Sequence, residues 1–191
     1  MFQRRTAIAL SLLVWTCFAS AASAADGAAP WTVLHSGGHI ALMRHALAPG
    51  AGDPPDFALE DCSTQRNLSQ KGRDQAVRIG AEARANGIVA ARVLSSQWCR
   101  CLETAELLGL GQVEPLPALN SFFREPQRGT DQTKALESWI AAQSYDQPLF
   151  LVTHQVNITA LTGVYPRSGE ILIVAPEADG GLVLVDRILI R

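Results

Sequence analysis

The stretch that decides the fold is Gly38-His39-Ile40-Ala41-Leu42-Met43-Arg44-His45-Ala46. Its apolar centre is typical of a strand that is buried on both faces, as in a parallel sheet. Arg44 and His45 follow this run directly and should emerge at the carboxyl end of the strand, where open α/β sheets bind their ligands. A guanidinium beside an imidazole suits a phosphoryl group, because the guanidinium holds the oxygens and a ring nitrogen can attack phosphorus.

Two further apolar runs lead to a cation or an imidazole. Arg100 comes shortly after Val93-Leu94-Ser95-Ser96, and His154 comes directly after Leu149-Phe150-Leu151-Val152-Thr153. A lone histidine or arginine in such a place is more often structural than functional. The combination of the three runs is what indicates a phosphate site.

These motifs resemble those of the histidine phosphatase superfamily, which has the phosphoglycerate-mutase-like fold. The resemblance is carried by Arg44-His45, by Ser95-Ser96 with Arg100 and Thr104, and by His154 after a hydrophobic strand. Leu68-Ser69-x-x-Gly72-x-x-Gln75-Ala76 is similar to the helix start that follows the first motif in that family. The match runs from Gly38 to Ile173.

The other helix and strand signals alternate along the chain. Ser69 is the predicted N-cap of a helix that ends at Asn86, before Gly87. Further helices are predicted at 99–108, 130–142 and 157–161, and further strands at 92–95, 113–116, 149–153, 170–174 and 182–190, with the last strand at an edge. The alternation favours an α/β fold with a mostly parallel sheet covered on both faces. The resemblance implies the same three-layer α/β/α sandwich.

The first 24 residues have the features of a secretory signal peptide. Arg4-Arg5 precede an apolar segment over 7–18, and Ala22-Ser23-Ala24 form a cleavage site of the A-x-A type. The apolar segment is shorter than the roughly 20 residues of a membrane-spanning helix, so no stable membrane span is expected. Residues 25–191 are then predicted to form a single domain, located in the periplasm or secreted.

The charge of the chain argues against one class of partner. Without residues 1–24 it contains 14 basic and 18 acidic residues, a net charge of −4. A nucleic-acid-binding surface is basic, so nucleic acid is not an expected partner. The expected ligand is a small-molecule phosphate ester, and the composition leaves the oligomeric state open.

Three cysteines follow the predicted cleavage site, namely Cys62, Cys99 and Cys101. In an exported protein an odd number favours one disulfide and one free thiol. Cys99 and Cys101 are too close in sequence to pair comfortably with each other, so Cys62 is expected to pair with one of them. Three free buried thiols, or a zinc site without a fourth ligand, are the alternatives.

The resemblance assigns the catalytic roles, and the chemistry of the side chains agrees with it. His45 would be the nucleophile that forms a phosphohistidine. Arg44 and Arg100 would hold the phosphoryl oxygens, and His154 would donate a hydrogen bond to the same oxygens. These groups already supply positive charge, so neither a metal nor a cofactor is expected.

The proton donor is where the sequence departs from its relatives. The mutase-like branch has Leu-x-Glu where this chain has Leu119-Asn120-Ser121, and the acid-phosphatase branch has Asp where this chain has Gln155. Glu125 is the first candidate for the missing donor and Asp131 the second, although either can equally be a solvated charge on a loop.

Three other features are expected to shape the pocket. The long proline-containing segment 46–61 follows Arg44-His45, and long loops beside a site usually form part of it. Ser95 is expected to contact phosphate or the nearby backbone. One of the adjacent rings Phe122 and Phe123 should wall the pocket, with Phe122 as the candidate that binds substrate.

The sequence therefore favours an exported, metal-independent phosphatase that works through a phosphohistidine. An envelope sugar phosphate is the substrate suggested by analogy with small exported members of the family. The alternative is a phosphate-binding protein of the same fold that has lost turnover. A phosphohistidine protein phosphatase is a third possibility, against which the signal peptide counts.

Overall fold

A computed structural model describes residues 29–178 and 180–190, so that the predicted signal peptide lies outside the described residues. The helices are α1 Pro30–His35, α2 Gln70–Ala85, α3 Cys99–Leu108, α4 Gly129–Ala141 and α5 Gln155–Thr162. The strands are β1 Ile40–Arg44, β2 Arg92–Ser95, β3 Val113–Pro115, β4 Leu149–Thr153, β5 Ile171–Pro176 and β6 Leu182–Ile188. Among these helices none has the length and apolar character that crossing a membrane requires.

The strands form one sheet in the order β3-β2-β4-β1-β5-β6. The first four strands in this order run parallel to their neighbours, whereas β5 is antiparallel to both β1 and β6. Arg44 at the end of β1 pairs with Thr153 at the end of β4, and Ser95 at the end of β2 pairs with Val152. The three central strands therefore end at one edge, which brings their following residues together.

Alternation along the strands builds two cores, one on each face of the sheet. Ala41 and Met43 of β1 pack on one face with side chains of α1, α2 and α3. Ile40 and Leu42 pack on the other face with side chains of α4 and α5. This arrangement confirms the predicted α/β/α sandwich with a mostly parallel sheet, and β6 lies at an edge as expected.

The motif at the start of α2 holds that helix against the segment that follows β1. Ser69 caps the helix by accepting a hydrogen bond from the Gly72 N–H at 3.1 Å. A Cβ added at Gly72 would lie 2.1 Å from the backbone oxygen of Leu47, so any side chain there would push the helix away. Thr104 of α3 accepts from the Ala46 N–H at 3.0 Å. Both contacts fix the backbone directly beyond His45.

The predicted boundaries differ from the structure in a few places. The helix predicted to begin at 157 begins at Gln155, because His154 is already its extended N-cap residue. The sequence reasoning also overlooked α1, a short helix that has Pro30 in its first turn and buries Trp31 and Leu34. The helix over 99–108 ends as predicted, with Gly109 in the left-handed conformation at a φ of 61°.

Cys62 and Cys99 form a disulfide, and Cys101 is free and buried. This decides between the two predicted pairings and removes the alternatives of three free thiols and of zinc. The bond joins the turn after the 46–61 loop to the first residue of α3, the helix that carries Arg100.

Replacing both Cys62 and Cys99 with serine is expected to lower the free energy of unfolding. The bond closes a loop with a sequence separation of 37 residues, and the chain entropy that such a loop removes from the unfolded state corresponds to about 4 kcal/mol. Urea unfolding of the double variant and of the oxidised wild type measures the difference. Reductant should lower the stability of the wild type but not that of the variant, and an equal response would contradict the assignment.

Candidate active site

A cavity of about 410 Å³ opens at the carboxyl edge of the sheet. It is lined by residues from the ends of β1 and β4, from the start of α3 and from the loops around 50–66 and 121–125. They include Arg44, His45, Gly50, Asp53, Phe57, Arg66, Trp98, Arg100, Ser121, Phe123, Arg124, Glu125, His154, Gln155 and Tyr165. The structure thus brings Arg44, His45, Arg100 and His154 together, with part of the 46–61 loop as a wall.

His45 is a buried, neutral imidazole with one nitrogen left for chemistry. Its side chain follows β1, and its backbone N–H donates to Thr153 O at 2.9 Å. Nδ1 lies 2.7 Å from Ala46 O, to which it can only donate, so the neutral ring carries its proton there. Burial, and next the charge of Arg100, hold the pKa of His45 well below its ordinary value of 6.5. Nε2 therefore keeps a free lone pair, as a nucleophile requires.

His154 is also neutral, but its proton points away from Arg100. The ring centroids of His45 and His154 are 5.6 Å apart. Arg100 Nη2 lies 3.3 Å from His154 Nδ1, and a guanidinium can only donate, so Nδ1 is the acceptor. The proton is then on Nε2, which donates to Ser96 Oγ at 2.8 Å. Burial, followed by the charge of Arg100, holds the pKa of His154 well below 6.5.

This arrangement differs from the expectation that His154 donates directly to phosphoryl oxygens. Its N–H is already used by Ser96, whose own Oγ donates to Asn120 Oδ1 at 3.3 Å. In this structure His154 therefore orients Arg100 by accepting from it. A hydrogen bond from His154 to a phosphoryl oxygen would need Arg100 to release Nδ1 and the ring to exchange its proton.

Arg44 extends from the end of β1 into the cavity. Its Nη1 donates to Pro166 O at 2.9 Å, while its Nε is buried and has no partner among the described residues. Burial lowers the pKa of Arg44, and the nearby charge of Arg100 lowers it further. The repulsion between the two guanidinium groups means that an anion placed between them would be stabilised.

Arg66 is a third guanidinium that the sequence reasoning missed. It lines the cavity, and its Nε donates to Gly52 O at 2.8 Å. Burial, and next the charge of Arg100, lower its pKa. The available signal was its position two residues before Leu68, at the start of the helix that the packing of Gly72 holds beside the site.

Asp53 is the second missed residue, and it is the direct partner of Arg100. The two side chains form an ion pair at 2.7 Å and are 8% and 3% exposed, respectively. Two other acidic residues near Arg100 in the sequence or in the adjoining loop have partners of their own. Glu103 pairs with Arg73 at 2.6 Å, and Asp61 accepts from Ser63 in a turn.

Of the remaining predicted residues Ser95, Glu125 and Asp131, only Glu125 lines the cavity. Ser95 is buried outside the cavity lining, and its Oγ donates to Ser96 O at 2.8 Å. Glu125 lines the cavity, but its carboxylate is half exposed and pairs with Arg128 at 3.3 Å. Asp131 lines a separate depression on α4.

Of the two adjacent rings, Phe123 lines the cavity and is 57% exposed. Phe122 is absent from the lining and lies beside Gly129, whose added Cβ would come within 3.1 Å of the Phe122 ring. The prediction that one of the pair walls the pocket therefore applies to Phe123, because the turn after Ser121 directs the first ring towards α4. Trp98 completes the wall by stacking on Phe57, with a centroid separation of 5.1 Å.

The neutral state of both rings predicts how stability depends on pH. The unfolded chain protonates both imidazoles near pH 6.5, whereas the native protein does not. The free energy of unfolding should therefore fall as pH decreases below that value, with a slope that approaches about 2.7 kcal/mol per pH unit for two histidines. Urea unfolding between about pH 7 and pH 5 measures the slope, which His154→Asn should reduce by half. A flat profile would mean that both rings titrate in the native protein as they do in the unfolded chain.

The described residues contain no group of three or more His, Cys, Asp or Glu side chains placed to hold a metal ion. The cationic groups of the site are instead Arg44, Arg66, Arg100 and Arg124, with Asp53 as the counter-ion of Arg100. A surplus of guanidinium charge around a neutral nucleophilic imidazole is suited to binding a phosphate dianion and attacking it.

Comparison with known proteins shows the fold. No protein-family model matches the sequence, and neither does any curated protein. Among solved structures, the chain is similar to the protein histidine phosphatase SixA in complex with tungstate, with 17% identity and a TM-score of 0.54 over 78% of this chain and 96% of that one.

Two further structures give the same result. The open reading frame Rv3214 of Mycobacterium tuberculosis shares 17% identity, with a TM-score of 0.57 over 78% of this chain and 95% of that one. The phosphoserine phosphatase of Entamoeba histolytica in complex with 3-phosphoglyceric acid shares 14% identity, with a TM-score of 0.53 over 80% of this chain and 98% of that one. These likenesses confirm the phosphoglycerate-mutase-like fold that was expected from the sequence.

Proposed function

We propose that this protein is a phosphatase that hydrolyses phosphate monoesters through a phosphohistidine on His45. The observation that carries the proposal is the free Nε2 of a neutral His45 in a cavity lined by four arginine side chains. Likeness in fold to solved phosphatases supports it.

In the proposed first step, His45 Nε2 attacks phosphorus and the bond to the leaving oxygen breaks. Arg44, Arg66 and Arg100 stabilise the charge on the three non-bridging oxygens, which persists through a loose transition state. In the second step water attacks the phosphohistidine, and the electron pair of the N–P bond returns to Nε2. The hydrogen bond from Nδ1 to Ala46 O keeps the attacking nitrogen unprotonated in the resting enzyme.

We further propose that the protein is exported and that an envelope sugar phosphate is its substrate. The signal-peptide features of residues 1–24 support export, and so does the Cys62–Cys99 disulfide, because disulfides persist in oxidising compartments. The substrate rests on analogy alone. Cell fractionation of the full chain and of a chain without residues 1–24 tests export.

A turnover screen tests the proposed activity. The purified protein is assayed with aryl, sugar and nucleotide phosphates and with a phosphoramidate, each with and without a chelator. Hydrolysis that the chelator leaves unchanged is expected, since the site supplies its own cations. A loss that zinc or magnesium restores would indicate metal-assisted hydrolysis instead.

The second candidate function is phosphate binding without turnover. It is favoured by the neutral residues Ser121 and Gln155, which stand where the family has its acids and which both line the cavity. Tight binding of inorganic phosphate together with no hydrolysis of any ester in the screen would select this function.

A further inference from the structure

The cavity contains a buried carboxylate whose role the proposed reaction leaves open. Asp53 lies in the 46–61 loop and lines the cavity, and its side chain is 8% exposed. The other carboxylate of the lining is Glu125, which is 54% exposed and pairs with Arg128. Asp53 is therefore the carboxylate that the fold places inside the site.

The hydrogen bonds of Asp53 engage its ionised form. Oδ1 accepts from Arg100 Nη1 at 2.7 Å and from the Arg66 N–H at 3.1 Å. Oδ2 accepts from Arg100 Nη2 at 3.3 Å and from Trp98 Nε1 at 3.1 Å. Burial alone would raise the pKa of Asp53, but the hydrogen bonds and the charge of Arg100, together with hydrogen bonds from the Arg66 backbone and from Trp98, bring it below the ordinary value.

Asp53 also occupies the face of Arg100 that a phosphoryl group needs. Nη1 of Arg100 donates to Asp53 Oδ1 and to Arg66 O, and Nη2 donates to Asp53 Oδ2 and to His154 Nδ1. The terminal N–H groups of this guanidinium are thus all in use. Nε of Arg100 is buried and has no partner among the described residues. A phosphate that contacts both terminal nitrogens of Arg100 takes the place of the Asp53 oxygens.

This exchange changes the charge state of Asp53. Once phosphate holds Arg100, the carboxylate has lost its counter-ion and lies beside a dianion in a buried site. Both changes favour the neutral acid. The charged groups that face Asp53 come from every element around it, namely Arg66 of its own loop, Arg100 of α3 and Arg124, which donates to Asp53 O. Arg66 contacts the Asp53 carboxylate through its own backbone N–H, and the Arg124 guanidinium contacts the backbone oxygen of Asp53. Neither contact replaces the salt bridge to Arg100.

We propose that Asp53 is the proton donor to the leaving group, and that substrate binding loads it with the proton by displacing it from Arg100. This inference rests on the proposed phosphatase function. The contacts run from His45 through His154 and Arg100 to Asp53, with a 5.6 Å ring separation followed by hydrogen bonds of 3.3 and 2.7 Å. The guanidinium that would hold the phosphoryl oxygens thus lies between the attacking ring and the carboxyl group in this series of contacts.

Each proton and electron pair can be followed through the two steps of the proposed reaction. His45 Nε2 forms a bond to phosphorus, the P–O bond breaks towards the leaving oxygen, and that oxygen takes the proton of the Asp53 carboxyl. Asp53, now a carboxylate, accepts a proton from the water that attacks the phosphohistidine, and the N–P electron pair returns to His45. Release of phosphate frees Arg100, and Asp53 gives up its proton to solvent as it returns to the ion pair.

The kinetic test compares two esters in wild type and in Asp53→Asn. Dinitrophenyl phosphate has a leaving group that needs no proton, whereas ethyl phosphate has one that does. Asp53→Asn is expected to lower kcat for ethyl phosphate by about 10²–10⁴-fold, and kcat for dinitrophenyl phosphate by less than about tenfold. Asp61→Asn, an exposed carboxylate of the same loop, is the matched control and should leave both rates unchanged.

A second measurement does not depend on turnover. Calorimetric titration of wild type with inorganic phosphate, in buffers of different ionisation enthalpy, gives the number of protons taken up on binding. Wild type is expected to take up about one proton more than Asp53→Asn, because only the wild type has a displaced carboxylate. Urea unfolding establishes that the variant is folded before it is compared.

The outcomes separate the two claims. A wild type that hydrolyses neither ester overturns the proposed function and the donor role with it. If the wild type is active, the donor role alone is overturned when Asp53→Asn lowers the rates for both esters equally or lowers neither. It is also overturned when Glu125→Gln, and not Asp53→Asn, shows the selective loss with ethyl phosphate. Phosphate binding to wild type without excess proton uptake also overturns it, since Asp53 then keeps its ion pair.

Discussion

His45→Ala is expected to abolish turnover, because the imidazole is the group that attacks phosphorus. The loss in kcat should be at least about a thousandfold, as found when a covalent nucleophile is removed. The fold should persist, since the side chain makes a single hydrogen bond, to the adjacent Ala46 O. Rapid quench with a radiolabelled aryl phosphate should trap an acid-labile, base-stable adduct on wild type and none on the variant.

His39→Ala is the matched control for this experiment. His39 precedes the same strand, and its Nδ1 contacts Gly37 O away from the cavity. The His39→Ala variant should keep wild-type kinetics and should still form the phosphorylated adduct. Activity of His45→Ala above about a thousandth of wild type would show that another residue is the nucleophile.

Arg100→Ala is expected to damage both catalysis and stability. Loss of a charge-assisted contact to the phosphoryl group should cost roughly 2–4 kcal/mol in the transition state, which lowers kcat/KM by about 30- to 1000-fold. The change also leaves the Asp53 carboxylate buried without its counter-ion, which should lower the free energy of unfolding by about 3–5 kcal/mol. Steady-state kinetics and urea unfolding measure the two effects separately.

The double variant Arg100→Ala, Asp53→Ala distinguishes these effects. Removing the unpaired carboxylate should restore much of the stability while kcat/KM stays low. Arg73→Ala provides the comparison for an exposed pair, because Arg73 and Glu103 are 38% and 32% exposed and such pairs contribute less than about 1 kcal/mol. Wild-type kinetics in Arg100→Ala would place this residue outside the phosphate site.

Local patterns explain why so much of the fold was predictable. The strands over 92–95 and 149–153 and the helix over 99–108 have the predicted bounds. Each is a continuous apolar run or a periodic segment with a stop signal such as Gly109. The neighbouring ends of β1 and β4 then follow from parallel pairing, so the meeting of Arg44, His45 and His154 at one edge could be expected from strand order.

The loops carry no such pattern, and the contacts of the site that were not predicted involve them. Phe122 and Phe123 differ only in the direction that a turn gives them, which the sequence does not encode by periodicity. Asp53 stands among glycines and prolines and has no neighbour in sequence that marks it as a partner of Arg100, 47 positions away. Arg66 likewise reaches the site only because α2 packs against the backbone at Leu47.

Short-range hydrophobic periodicity and capping residues are enough to predict the layers of the sandwich, the edge at which the site forms and a guanidinium beside an imidazole there. The choice of Cys99 over Cys101 as the partner of Cys62, the tautomer of His154 and the ion pair between Asp53 and Arg100 follow from the folded arrangement instead. Each of these depends on distances between residues far apart in the chain, and on burial, which gives a hydrogen bond or a charge its effect on the pKa of its neighbours.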